Sequence, residues 1–405
     1  MIKITKLICL SLVLVMLLSA FVSCGGEISD TDVPQTDTEI ETESEKEEVL
    51  VEKYTEIQYV PYKALGRTQL MFGQLAADWT AAGIAFEATC KGEVSINMTV
   101  NGTRKFTVVV DGTEYKDVVM ESGDNVIATG LAYGKHSFSI MNQEGYSITV
   151  DINGVTLCGK YEEAPRDSEL MIEYIGDSVA HGGDGLLNYA YLSAAALGAD
   201  YTIMANSGMG LKWGTDHDAA NVNRSMKKYP FLNDKERGTI LYTGYTRAAD
   251  LVVIGLNTND NYRFSVQYKE NREAYKASHP NFTWPEVDAD SQAFIATKMQ
   301  ELGAELELLI AEIEKHHGKD VPIILARGMM ETDDELYLTS VNYLTKLIEE
   351  EWQGKYGNHT IKVARLTSDR SGYANHPSQA GAAVQGAELA EFIRREFPEL
   401  VPTGK

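Results

Sequence analysis

Four short blocks of this chain hold residues that together could cleave an ester. "YIGDSVAHGG", Tyr174 to Gly183, sets Ser178 directly after an apolar run. "ANSGMGL", Ala205 to Leu211, holds Gly208 and Gly210; Asn257-Thr258-Asn259-Asp260 follows a third apolar run; "NHPS" brings His376 just before the last helical stretch. Acyl transfer needs a hydroxyl, a base within hydrogen-bond reach, and donors aimed at the developing oxyanion. Ser178 at a helix N-terminus would meet free backbone N–H groups, so its own amide is one candidate donor. Gly208 can bring its amide close because no side chain intervenes, and Asn259 carries a side-chain amide. Pro377 biases His376 toward an extended backbone and suits the first turn of the helix that follows. Taken singly, each residue has an ordinary alternative. Asp177 and Ser178 serve as helix caps, Gly208 and Gly210 as turn glycines, Asn259 as a cap and His376 as a loop histidine. Their appearance in order, at successive strand ends, is what favours acyl transfer.

In an open parallel sheet, ligands bind beyond the carboxyl ends of the strands. From Met171 onward the text alternates: strand Met171 to Ile175, helix Leu187 to Leu197, strand "YTIMA", strand "DLVVIGL", helix Asp290 to His317, strand "VPIILA", helix Glu335 to Glu351, strand "IKVARL", helix Ser378 to Phe397. Such alternation predicts an α/β three-layer sandwich around a parallel sheet, over residues 168–400. Gly214 to Arg247 and Asn261 to Val287 read as loops over its carboxyl end. Upstream, Tyr59 to Cys158 is strand-like; in "EVSINMTV", Val94, Ile96, Met98 and Val100 alternate with polar residues. Turns are signalled at Asn101-Gly102, Asp111-Gly112 and Asn153-Gly154. An antiparallel β-sandwich, of jelly-roll type, is expected over residues 58–162.

Lys3 and Lys6 precede an apolar run from Leu7 to Val22, which is the layout of a signal peptide over residues 1–23. The run ends in "SAFVSCGG", which resembles a bacterial lipobox and implies lipidation of Cys24; the alternative is a plain secreted protein. Glu27 to Glu48 holds ten acidic residues against one lysine, so residues 24–57 read as an acidic, unfolded tether. The expectation is an exported protein, facing the periplasm or cell surface, that touches a membrane only through a lipid anchor. A net charge of -23 excludes nucleic acid, which needs a basic footprint, and argues against lipid headgroups as substrate. Cys90 and Cys158 leave a disulfide and two buried thiols both open, and their spacing is not that of a zinc site. His-Glu-x-x-His, a P-loop and the dinucleotide glycine fingerprint do not occur, so no metal or nucleotide cofactor is expected. His181, three residues after Ser178, either touches the pocket or lies on the helix surface. Trp213 either offers a flat face to a sugar ring or packs under a loop. His316 and His317 read as partners of a helix C-terminus.

The order Ser, Gly, Asn, His resembles the SGNH (GDSL-type) hydrolases. The leading sandwich joined to "MIEYIGDS", with "ALGADYTIMANSGMGL", Thr-Asn-Asp and His-Pro behind it, is similar to the family 2 carbohydrate esterases from about Gly66 to the C-terminus. The resemblance implies a serine acetyl esterase acting on acetylated polysaccharide or oligosaccharide of xylan or mannan type. It implies Ser178 as nucleophile, His376 as general base, and the Ser178 amide, Gly208 amide and Asn259 side chain as oxyanion hole, with Asp177 bracing the turn. Two departures stand out: Asn257 replaces the glycine usual in the third block, and Tyr373 stands where many such enzymes place an aspartate three residues before the histidine. A Ser-His dyad is therefore expected, its histidine oriented by a backbone carbonyl, with Asp369 as the alternative acid. Peptidoglycan or another acetylated glycan is a rival substrate. A non-catalytic carbohydrate-binding surface lipoprotein is the rival from outside the enzymes.

Overall fold

The computed structural model describes residues 50–144, 149–182, 186–214, 224–232, 239–278, 289–331, 335–352 and 361–401. The signal peptide, most of the tether and Cys24 lie outside the described residues. The chain from Leu50 to Lys405 forms one compact unit. Its first half is antiparallel: β1 Glu52–Glu56, β2 Tyr62–Leu65, β3 Gln69–Met71, β4 Gln74–Ala76, β5 Gly83–Val100, β6 Arg104–Val110, β7 Thr113–Met120, β8 Gly123–Asn142 and β9 Val150–Tyr161. They form one sheet in the order β3-β4-β9-β5-β8-β6-β7, with β1 on β9 and β2 on β5. The alternation read in "EVSINMTV" is observed, with Val94, Ile96 and Met98 buried in the core.

β1 falls inside the stretch read as tether. Its side chains are almost all exposed, so hydrophobic pattern gives no sign of it; the ladder to β9, from Glu52↔Cys158 to Glu56↔Gly154, supplies what burial does not. Cys90 and Cys158 are free thiols. Cys90 faces Gly159 across the ladder while Cys158 faces Lys91, and that one-residue offset turns the two side chains to opposite faces. Burial pushes the Cys90 thiol up to about 11.

The second half runs β10 Met171–Gly176, α1 Ser178–His181, α2 Tyr189–Leu197, β11 Asp200–Ala205, α3 Ser225–Lys228, β12 Leu251–Gly255, α4 Thr258–Ser278, α5 Ala289–His317, β13 Ile323–Arg327, α6 Glu335–Lys346, β14 Ile361–Arg365 and α7 Gln379–Glu396. The five strands are parallel in the order β11-β10-β12-β13-β14. Ile172, Tyr174, Val253 and Ile324 join a cluster with α2 and α7, while Ile175, Val252, Ile254 and Ile323 join one with α5 and α6. Burial on both faces is what an all-parallel sheet demands, and it makes the strands near-continuous apolar runs. The order reverses between β10 and β12, so the switch-point crevice lies beyond their carboxyl ends.

One expected loop is largely helix. α4 covers much of the stretch between Asn261 and Val287, and its polar composition hid it; Phe264, 1 % exposed and stacked on Phe294 at 5.6 Å between ring centroids, anchors it. His317 stands in the last turn of α5, and its side chain turns inward. Its Nδ1 accepts the Ala249 N–H (3.0 Å), which leaves the proton on Nε2 to donate to Glu173 Oε2 (2.8 Å). Glu173 also accepts from the Tyr229 hydroxyl and faces the Arg67 guanidinium, fully buried like itself. Breaking one partner of a buried ion pair costs about 3–5 kcal/mol, so this cluster pins the loop after β2 to β10.

His136 bonds two acceptors, Asp111 Oδ2 at 2.7 Å and the Ala132 carbonyl at 2.9 Å. Both ring nitrogens must then carry protons, and these bonds hold the imidazole above its ordinary value of 6.5. A raised folded value stabilises fully below the unfolded one and is lost as pH rises through the folded one. Thermal melts from pH 5.5 to 9 are expected to fall across that window by an amount worth at most about 1 kcal/mol, given the exposed surroundings. The fall should be absent in His136→Asn; an equal fall in both proteins would contradict the assignment.

Candidate active site

Ser178 opens α1 immediately after β10. Asp177 caps that helix, its Oδ1 accepting the Val179 N–H at 2.9 Å, and the first turn leaves the Ser178 N–H without an intrahelical partner. Gly176 has no freedom to change, because a Cβ there would stand 2.4 Å from that of Ala180. His376 arrives from the loop between β14 and α7, and its Nε2 lies 2.7 Å from Ser178 Oγ. Its Nδ1 lies 3.1 Å from the Ala374 carbonyl. A carbonyl only accepts, so Nδ1 carries the proton and Nε2 accepts the serine hydroxyl hydrogen. The His376 N–H donates to the Tyr373 carbonyl, and its own carbonyl accepts from Gly372 N–H. Ala374 and Asn375 take left-handed backbone angles, φ +52° and +61°; this strain, on the order of 1–3 kcal/mol per residue, is what turns the carbonyl toward the ring.

Asp369 makes no contact with the ring. Its Oδ1 accepts from the Ser371 N–H and hydroxyl, its Oδ2 from those of Ser378. These bonds hold its carboxyl well below the usual range. Ser378 in turn accepts the Gly381 N–H at 3.1 Å and so caps α7. Asp369 therefore braces the loop that carries His376.

Two buried acids underlie the same rim. Burial, reinforced by Asp260 and opposed by Arg327, pushes the Asp177 carboxyl up to about 7. Burial likewise raises Asp260, whose oxygens accept the N–H groups of Leu211, Lys212 and Trp213 at 2.8–2.9 Å. Gly210 is obligatory beside it: a Cβ would lie 2.7 Å from Asp260 Oδ2 and 2.0 Å from the Trp213 carbonyl. Gly208 adopts φ +77°. Asn259 is buried, and its Nδ2 donates to the Met209 carbonyl (2.9 Å) and to Asp177 Oδ2 (3.3 Å). Asn257 keeps a backbone that glycine would favour, φ +106°, and ties its Nδ2 to Ser340 Oγ at 3.1 Å.

Ser178, His181, Ser207, Tyr373 and His376 help line a cavity of about 520 Å³. His181 thus lies on its wall. Trp213 does not: it is 5 % exposed, and its ring packs under the Lys212 and Lys298 ammonium groups at 5.2 and 4.9 Å. The three N–H bonds to Asp260 pull that loop inward, so the tryptophan is a packing residue. Sequence reading missed Asp260 as the organiser of this loop, and Arg327, fully buried with Nη1 on the Leu256 carbonyl. It also missed Arg67 and Glu173; a glutamate inside the apolar run "MIEYIG" was the available signal, since a charge in a strand buried on both faces must have a partner.

No protein-family model matches the chain. Among curated proteins, Cellulase/esterase CelE of Acetivibrio thermocellus is 27 % identical over 212 residues, which is 45 % of this chain. The match spans only a quarter of that relative's length. Solved structures share the fold over most of the chain. A family two carbohydrate esterase from Clostridium thermocellum in complex with cellohexaose aligns with a TM-score of 0.64 at 20 % identity, covering 83 % of this chain and 99 % of that one. A family two carbohydrate esterase from Cellvibrio japonicus gives 0.66 at 17 %, covering 85 % and 98 %. An acetyl xylan esterase from the rumen bacterium Butyrivibrio proteoclasticus gives 0.67 at 18 %, covering 86 % and 99 %.

The Asn257 backbone gives a local test. Asn257→Ala should destabilise the protein more than Asn257→Gly, by about 1 kcal/mol, because only glycine adopts φ +106° without a Cβ penalty. Both lose the bond to Ser340, so urea midpoints that coincide for the two variants would show that the backbone is not strained there.

Proposed function

We propose, from the shared fold with family two carbohydrate esterases and the contact between Ser178 and His376, that this chain is a carbohydrate esterase. It removes O-acetyl groups from polysaccharide of xylan or mannan type through a Ser178–His376 dyad and an acyl-enzyme intermediate. The observation that carries this reading is the 2.7 Å approach of His376 Nε2 to Ser178 Oγ, with the other ring nitrogen committed to a carbonyl. In that tautomer His376 takes the serine proton as Oγ attacks the acetyl carbonyl, then returns it to the departing sugar oxygen. A water activated by the same nitrogen releases acetate. The oxyanion is received by the Ser178 and Gly208 amides and by Asn259. Of the two Asn259 donor bonds, the longer one to Asp177 is the one given up to substrate.

The Ala374 carbonyl does the orienting work of the missing aspartate. Tyr373, 95 % exposed on the cavity wall, offers its ring to the sugar. Export as a Cys24-anchored lipoprotein, and a jelly-roll description of the antiparallel half, belong to the same proposal.

Ser178→Ala and His376→Ala should each lower kcat on p-nitrophenyl acetate at least about a thousandfold with unchanged melting temperature. Asp369→Asn should cost about tenfold or less, because its contacts reach the loop and not the ring. A loss as large as that of His376→Ala, in a folded protein, would restore a triad. Tyr373→Ala should raise KM for acetylated xylan about tenfold, with a much smaller effect on the small ester. A KM unchanged on the polymer would remove Tyr373 from the substrate path.

A further inference from the structure

Away from the cavity, the hairpin of β3 and β4 ends in a turn of two residues, Phe72 and Gly73, with φ +50° and +81°. Two-residue turns with both angles positive favour Asn-Gly, and a bulky L residue in this region is an outlier. The Phe72 side chain is also 99 % exposed. Phenylalanine is thus a poor choice for the turn and a poor choice for water, and nothing in the packing of the hairpin requires it.

The support beneath it is rigid. Arg67, directly before the hairpin, is fully buried and donates to the Tyr229 carbonyl at 2.7 Å. Gln69 Oε1 accepts the Thr243 N–H at 2.8 Å, and Met71 packs on the cluster of Ala76, Leu232 and Tyr242. The turn that carries the ring is held in place, which lowers the backbone part of the ordering cost of binding. Around it, Leu70 and Tyr59 are 50 % and 71 % exposed, and the Gln58 carboxamide lies 3.5 Å from where a Cβ on Gly73 would stand.

Charge narrows the partner. Thr68 to Ala77 and Thr239 to Tyr245, the two stretches that meet here, contain no charged residue, although the chain carries -23. A lipid surface would call for cations beside the aromatic, and among the described residues Lys63 is committed to Asp200 and Arg67 to the interior. β3 is a sheet edge, but three residues are too short to template pairing with a second copy. Aromatic faces beside a carboxamide that the Glu56 carboxylate holds at 2.8 Å suit an uncharged ligand with both C–H faces and hydroxyls, and repel an anionic one.

We propose that the β3–β4 hairpin tip, centred on Phe72 with Tyr59 and Gln58, is a second, non-catalytic binding site for a neutral polysaccharide. The proposal rests on the carbohydrate reading above and gives this face the task of holding the polymer. The full chain is tested by affinity electrophoresis through gels containing arabinoxylan, glucomannan or hydroxyethylcellulose. The variant is Phe72→Asn, which restores the favoured Asn-Gly turn and so folds at least as well.

The wild type should be retarded by at least one of the three polymers. Phe72→Asn should weaken that binding at least about fivefold, with an equal or higher melting temperature and p-nitrophenyl acetate turnover within about twofold. Equal retardation of the two proteins, or none of the wild type in any gel, overturns the proposal. Co-sedimentation with phosphatidylglycerol/phosphatidylcholine vesicles, or a concentration-dependent dimer, that Phe72→Asn abolishes gives the face to lipid or to a second copy and also overturns it. Absent ester turnover in the wild type would sink the esterase reading alone, and the gels would still decide this one.

Discussion

A hydrogen bond between residues 198 apart, Ser178 and His376, sets the demands that the rest of the fold meets. Ser178 stands at the end of β10, second in the sheet, whereas the chain leaves β14 at the far edge. The loop must therefore run back over β13. Leu366 N–H donates to the Arg327 carbonyl and Asp369 N–H to the Met329 carbonyl, while Gln385 on α7 donates to the carbonyls of Met329 and Thr367. Gly328, at φ +91°, leaves room for that crossing, since a Cβ would stand 2.5 Å from the Leu366 carbonyl. Position is thus secured by backbone bonds on the return path before any side chain touches the imidazole.

The electrostatics beneath the rim follow the same economy. In the proposed mechanism an ionised carboxylate next to the developing oxyanion would oppose it. Asp177 lies beside the Asn259 side chain, and burial with Asp260 as neighbour raises its carboxyl to about 7, so that near neutral pH about half of it carries a proton. Arg327, buried among the same groups, supplies the balancing positive charge. The capping bond to Val179 survives in either protonation state, so the turn keeps its shape while the local field stays mild.

What could be read from the chain differed from element to element for physical reasons. The parallel strands were legible because burial on both faces writes them as unbroken apolar text. The ends of β10, β12 and β14 were legible because residues unusual for plain turns gather there, such as Asp177-Ser178 and His376-Pro377. α4 was not, since its polar surface gives no apolar stripe and one phenylalanine does the anchoring. β1 was not, because ladder bonds leave no mark on side-chain pattern. Trp213 could not be placed without knowing that Asp260, 47 residues later, gathers its loop. The bond of His317 to Glu173 was not legible because that partner lies in a strand 144 positions earlier. Long-range pairing of polar groups is the information that local periodicity does not carry.

The two halves of the molecule are stitched through backbone, not merely leaned together. The Thr80 hydroxyl donates to the His181 carbonyl, the Tyr201 hydroxyl to that of Ala81, and Arg67 reaches the carbonyls of Tyr229 and Phe231. A cut in the polar bridge between them would strand polar atoms on both sides of the wound. Recombination during evolution, or a chimera made at the bench, must therefore move this pair as a single cassette.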